Sequence, residues 1–151
     1  MPPTPGRLAD WRWRLWMWRT RSEPMRFVYY AEAWPAGFRE LYMYDRAGLD
    51  RGRLVWKVCN ACQRAVIAKI SLDVDVHRQG YGRRLILRAL RDGPDYLWTT
   101  SGQSPAGARF FAAMSAETGA AFTGGAQTCE HIKNHGRAMA TVLRPVLDRS
   151  V

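Results

Sequence analysis

Ile70-Ser-Leu-Asp-Val-Asp-Val-His-Arg-Gln-Gly-Tyr-Gly-Arg-Arg-Leu-Ile86 changes its hydrophobic period partway along. Before it, Ala65-Val-Ile-Ala-Lys-Ile-Ser-Leu72 is β-branched and apolar, as a strand requires. After it, Gly82, Ile86, Ala89 and Leu90 fall on one helical face, and Gly93-Pro94 ends the helix. Between the two lies a loop with glycines two apart, at 80 and 82, where the backbone can approach a ligand without Cβ interference. Successive N–H groups there, with the dipole of the helix start, predict a cradle for phosphate oxygens. Arg78, Arg83 and Arg84 would add charge-assisted bonds. A dinucleotide fold wants G-x-G-x-x-G after the first strand of a parallel sheet, and a P-loop wants a Gly-Lys-Ser/Thr ending; neither is present.

Upstream of this stretch the chain reads as an antiparallel meander. Arg26–Glu32, Phe38–Tyr44 and Leu54–Val58 are aromatic or β-branched runs, with a turn at Ala47-Gly48 and a short connection at Asn60-Ala61. Downstream, Tyr96–Thr100 predicts a short strand. Ser104-Pro105 then predicts the N-cap and first turn of a second helix reaching Gly119. A tail from Thr128 to Leu147 reads as partly helical. The fold class is α+β: a mixed, mainly antiparallel sheet with helices on its faces.

The 151 residues suit one domain, and 47% hydrophobic content supplies a core. No run approaches the roughly 18 apolar residues of a membrane span, and no apolar run follows Arg7, Arg12 and Arg14 as in a secretory signal, so a cytoplasmic protein is expected. The net charge is +10, almost all from arginine, the only lysines being Lys57, Lys69 and Lys133. Such a field attracts polyanions, although Ala-, Gly- and Arg-rich composition also follows from GC-rich coding. Residues 1–24 stand apart as a Trp/Arg leader, Trp11-Arg-Trp-Arg-Leu-Trp-Met-Trp-Arg19. It would stack on bases, lie at a membrane interface, form an edge strand, be disordered, or precede the true start at Met25. Residues 25–151 form the single folded domain.

His77-Arg-Gln-Gly-Tyr-Gly82 resembles motif A of the GNAT N-acetyltransferase superfamily, with His77 where Gln or Arg is usual. Ser104-Pro-Ala-Gly-Ala-Arg-Phe-Phe111, ending near Gly119 and Phe122, resembles motif B, with Ser104 in place of Asn and Phe111 in place of the family's tyrosine. The resemblance covers about residues 53 to 122. It implies an acyl-CoA N-acyltransferase fold, here reduced because the segment between the first two strands, 33–37, is too short for the two usual N-terminal helices. It also implies acetyl-CoA as donor and an amine of unidentified class as acceptor. Leu72 would face the pantetheine arm, and the amides of His77, Arg78, Gln79, Gly80, Tyr81, Gly82 and Arg83 the pyrophosphate, with Ser104 and Phe111 completing the cofactor site. A neutral amine would attack the acyl carbonyl directly, a strand amide polarising its oxygen and a carboxylate accepting the proton. Glu32, Glu40 and Asp73 are candidate bases from position alone; each also reads as a solvated surface carboxylate. Phe111 has no proton to give a leaving thiolate. The other reading is a non-catalytic module of the same fold that binds nucleic acid or another polyanion.

Cys59-Asn-Ala-Cys62 stands at a hairpin turn, the geometry of a zinc knuckle. Cys129-Glu-His131 offers two further ligands, with His135 as a substitute. In the fold the resemblance implies, that hairpin lies at the sheet end opposite the cofactor, and the chain returns towards it after the second helix. A zinc there would be structural. Against it, C-x-H is not a standard pair, and buried cysteine is common as a small apolar residue. Arg84, Arg88 and Arg91 form a stripe on the first helix, read as a solvated face, a phosphate clamp or a nucleic-acid contact.

Overall fold

A computed structural model describes residues 14–15, 18–125, 127–134, 146–147 and 151. Strands β1 (Met25–Tyr30), β2 (Phe38–Asp45), β3 (Asp50–Cys59) and β4 (Arg64–Leu72) form the expected meander. A 3-10 turn at Val74–Val76 leads to helix α1 (Tyr81–Leu90), then β5 (Leu97–Thr100), helix α2 (Pro105–Thr118) and the two-residue β6 (Thr123–Gly124). Helix α3 (Glu130–Asn134) and β7 (Val146–Leu147) follow. The sheet order is β6-β5-β4-β3-β2-β1-β7, with β4, β5 and β6 parallel and the rest antiparallel. No helix interrupts residues 31–37, as their number predicts. None of the described helices is long and apolar enough to cross a membrane.

Two details depart from expectation. β3 begins at Asp50, because the turn after β2 is tight and Asp45 Oδ1 accepts from Leu49 N at 2.9 Å, pulling the chain straight back. In the tail, Val146 and Leu147 pair with Tyr29 and Val28 of β1. Helix α3 is the helical part of that tail, whereas Val146 and Leu147 are extended because they pair with β1.

Both crossovers, β4-α1-β5 and β5-α2-β6, bury the same sheet face. Phe27, Leu41, Met43, Leu54, Trp56, Ile67 and Trp98 meet Leu85, Ile86 and Ala89 of α1 and Phe111 and Met114 of α2 in one core. The Gly82 position is occupied for packing: a Cβ there would lie 3.1 Å from Phe110 Cε2 and 3.4 Å from Leu72 Cδ1. The arginine stripe of α1 is solvated only in part, because two of its members also lie over aromatic rings. The Arg84 guanidinium lies over Phe27 and Tyr81 and that of Arg88 over Tyr29 and Trp56; Arg88 is half-buried, while Arg84 and Arg91 are exposed.

The opposite face carries a second buried cluster of Val28, Tyr30, Tyr42 and Tyr44. Of the leader, Trp11, Trp13 and Trp16 lie outside the described residues, but Thr20 is buried and its Oγ1 accepts from Arg26 Nε at 2.5 Å. Burial pushes the Tyr30 and Tyr42 phenols up to about 12 from an ordinary 10.0, and Tyr44 higher still. A raised folded-state pKa means the stability is complete below pH 10 and drains away as the pH climbs towards 12. Tyrosinate absorbance is therefore expected to rise together with loss of far-UV dichroism in that window. Phenols titrating near 10 in a fully folded chain would contradict this.

Candidate functional site

The segment between β4 and α1 is built to leave backbone donors facing outwards. Asp73 N donates to Arg51 O at 2.9 Å and ends the β3–β4 ladder, and buried Val76 pins the 3-10 turn. Arg78 and Gly80 take left-handed backbone, at φ 59° and 82°, which turns the chain sharply into α1. Gly80 needs that conformation rather than space, since a Cβ on it would meet nothing within 4 Å. No side chain caps the N-terminus of α1 and its first turn holds no acid, so its donors and dipole are uncompensated. Residues His77, Arg78, Gln79 and Gly80 are exposed, Tyr81 is half-buried and Gly82 is buried.

Three side chains of this segment are engaged within the protein, Arg83 among those expected to add charge to a phosphate site. His77 Nε2 donates to the Leu72 carbonyl at 2.9 Å, which fixes the loop on the end of β4. Gln79 Nε2 donates to Asp75 O at 2.9 Å. Arg83 is paired with Glu117 of α2 at 2.5 Å. The loop's offer to an anion is therefore chiefly backbone, with Arg78 beside it.

Beside β4 a cleft opens as far as Ile70. β4 and β5 pair from Arg64–Leu97 to Ile67–Thr100, with a last link from Ser101 N to Ile67 O at 3.0 Å, and then part. They part where β4 bulges: Trp56 faces Ile67 and Val55 faces Lys69, leaving Ala68 without an opposite residue on β3. Ser101 Oγ donates to the Ala68 carbonyl at 2.9 Å. The opening, about 220 Å³, is lined by Ile67–Ile70, Thr100–Ser104, Gly107 and Phe111. Ser104 lines it while its Oγ caps α2 by accepting from Gly107 N at 3.1 Å. Phe111 is 5% exposed and packs against Phe110 and Phe122.

The three candidate carboxylates sit in different places. Glu32 lies beyond the far end of the sheet, paired with Arg39 at 2.5 Å. Asp73 lies on the loop beside Arg51, at 3.3 Å, where Asp45 and Asp75 also meet that guanidinium. Glu40 alone shares a cross-strand row with the bulge, opposite Val55, which is opposite Lys69. The Tyr42 oxygen accepts from Arg53 Nη1 at 3.3 Å, and Glu40, after burial, helps hold that phenol above its ordinary range. Next to them a hollow of about 390 Å³ opens among Asp50, Gly52, Arg53, Lys69, Ser71, Leu72 and Asp73. The sequence reading missed the bulge and this hollow. Ile67 and Ile70 point to the same core from three positions apart, a spacing that breaks the strand period and betrays the extra residue.

At the other end of the sheet, Cys59, Cys62, Cys129 and His131 come together, their ligand atoms all within 4.8 Å of one another. His135 lies outside the described residues.

No family model matches the sequence, and no curated protein matches it. Among solved structures the chain is similar to nourseothricin acetyltransferase over 36% of its length and 32% of that chain, at 22% identity and a TM-score of 0.34. It is also similar to a protein from Deinococcus radiodurans R1 assigned as an acetyltransferase, over 67% of each chain, at 14% identity and a TM-score of 0.47. It thus spans about a third of the first of these, 32%, and about two thirds of the second, 67%. The antiparallel meander followed by β-α-β-α, with a glycine-hinged start to the first helix, is the order of elements expected from the sequence.

Proposed function

We propose that this chain is an acyl-CoA-dependent N-acyltransferase that moves acetyl from acetyl-CoA to a primary amine by direct attack. One observation carries the reading: a cleft opens between β4 and β5 as far as Ile70, two residues before β4 ends at Leu72, and the loop that follows β4 delivers the uncapped start of α1. A groove for an extended arm and a cradle for its phosphates are what a CoA thioester needs. In this reading the backbone of 78–83 holds the pyrophosphate, β4 flanks the arm, and the acetyl group is activated as a thioester. The bulge at Ala68 turns strand backbone towards the reacting carbonyl. Glu40, directly or through water, takes the proton of the amine, which enters from the hollow bounded by Arg53 and Lys69. No acid is assigned to the leaving group, since Phe111 cannot supply one and a CoA thiolate departs without one.

The polyanion-binding alternative is weakened by how the arginines are used. Arg26, Arg39, Arg51, Arg83, Arg84 and Arg88 all make intramolecular polar or ring contacts. Calorimetric titration with acetyl-CoA should show one site of micromolar affinity, and an amine panel should reveal amine-dependent release of CoA thiol. Glu40→Gln is expected to leave that affinity unchanged while lowering kcat by roughly 10²-fold or more. Salt-sensitive retention on nucleic acid with no acetyl-CoA binding by folded protein would sink the acyltransferase reading.

A further inference from the structure

We infer that Cys59, Cys62, Cys129 and His131 form a structural zinc site that clamps the chain after α2 onto the β3–β4 hairpin. All three cysteines of the chain gather at this one point. They arrive from two segments about 70 residues apart: Cys59 and Cys62 lie 72 and 69 positions from His131.

The local structure explains how each ligand is presented. Cys59 is the last residue of β3, buried on the face opposite the crossover helices. Cys62 is exposed in the turn, which closes through left-handed Gln63 at φ 50°. Cys129 precedes α3 and accepts its first helical bond, from Lys133 N at 3.1 Å, so His131 follows within the same turn. Ile132 is buried against Ala36, Cys59 and Val66, and Lys57 Nζ donates to its carbonyl at 2.9 Å. Five residues are too few to hold a helix without such anchors.

The spacing fits a tetrahedral ion. With Zn–S of about 2.3 Å and Zn–N of about 2.05 Å, a tetrahedron has S···N edges of about 3.6 Å and S···S edges of about 3.8 Å. His131 Nδ1 stands 3.6 Å from Cys59 Sγ and 3.3 Å from Cys62 Sγ, and all four atoms lie within 4.8 Å of one another. On binding, three thiols release their protons to solvent and the neutral imidazole binds through Nδ1, leaving a site of net charge −1. The Lys57 ammonium on the Ile132 carbonyl brings positive charge to the same helix. Four protein ligands leave no open position, so this ion takes no part in acyl transfer. It also sits at the end of the sheet away from the cleft.

The test uses the full chain, purified without chelator from zinc-supplemented medium. One zinc per chain by elemental analysis is expected, as is the intense visible absorption of a thiolate-bound tetrahedral ion after cobalt exchange. Stripping the zinc should lower the melting temperature by about 10 °C. Because Cys62 is exposed, Cys62→Ser should still fold yet lose the metal, and Cys62→His should regain it. Metal-free folded wild type with three thiols freely reactive, or a Cys59–Cys62 disulfide by mass, would overturn the inference. So would a Cys62→Ser variant that keeps stoichiometric zinc. None of these readouts depends on acetyl-CoA, so the acyltransferase reading stands or falls separately.

Discussion

Gly80→Asp is expected to weaken acetyl-CoA binding by roughly 100-fold or more while the domain stays folded. A carboxylate on the residue that precedes α1 would face the pyrophosphate that the exposed amides are proposed to hold. At an effective dielectric near 20, two like charges about 4 Å apart repel by roughly 4 kcal/mol before salt screening. The fold should survive because a Cβ at this position meets nothing within 4 Å. Its cost is backbone strain at φ 82°, about 1–2 kcal/mol for a side chain in left-handed geometry. Gly80→Asn and Gly80→Ala separate the two effects, since both test the backbone without adding charge, and asparagine tolerates this region. Titration of the three variants should rank affinity as wild type, then Asn and Ala, then Asp far below. Equal affinity for wild type and Gly80→Asp would show that the pyrophosphate does not sit on this loop. Gly82→Asp is the wrong probe, because its side chain would strike Phe110 and Leu72 and confuse binding with packing.

The sheet was legible in the sequence because its strands carry strong local signals. β1, β2 and β4 are bounded by turns and rich in aromatic or β-branched residues, and α2 announces itself with Ser104-Pro105. β6 and β7 were not legible: two residues each carry no period, and their pairing with β5 and β1 is a tertiary event. The same limit hid the divergence of β4 from β5, which depends on one unpaired residue, Ala68, in an otherwise unremarked apolar run. For the loop, the glycine spacing located the helix start but misjudged one glycine. Gly80 serves the turn and Gly82 serves the contact with Phe110, a residue nearly thirty positions later that no local pattern connects to it. The carboxylates could not be ranked from the sequence, because their difference is one of register. Glu40 falls level with the bulge only through the β2–β3–β4 pairing, and Glu32 is removed from it by its bond to Arg39. The cysteines gave their partners away by composition and spacing, although their convergence depends on α3 docking through Ile132.

Asp92→Ala is expected to be the most destabilising single exchange outside the apolar core, at about 3–5 kcal/mol. This one carboxylate, just after α1, accepts from Trp56 Nε1 at 3.0 Å, from Arg88 at 3.0 Å and from Arg39 at 2.7 Å. The side chains of Asp92, Arg39 and Arg88 are only 15%, 12% and 13% exposed, so water replaces little of what is lost. Removing it takes a carboxylate partner from two largely buried guanidiniums and the acceptor from a buried indole N–H, at the junction of α1 with β2 and β3. Arg39 has no slack to absorb the change. Its Nε is already buried without an acceptor among the described residues, and Glu32 is its other ion-pair partner. At roughly 2–4 °C per kcal/mol for a domain near this size, the melting temperature should fall by about 6–20 °C. The cause can be tested by pairing the exchange with an apolar partner. Arg39→Met made together with Asp92→Leu removes both charges, and it should recover much of the loss that either single variant suffers. Additive losses in the double variant would mean that the network contributes through packing alone. A single Asp92→Ala variant melting within a degree or two of wild type would mean that the guanidiniums find other acceptors.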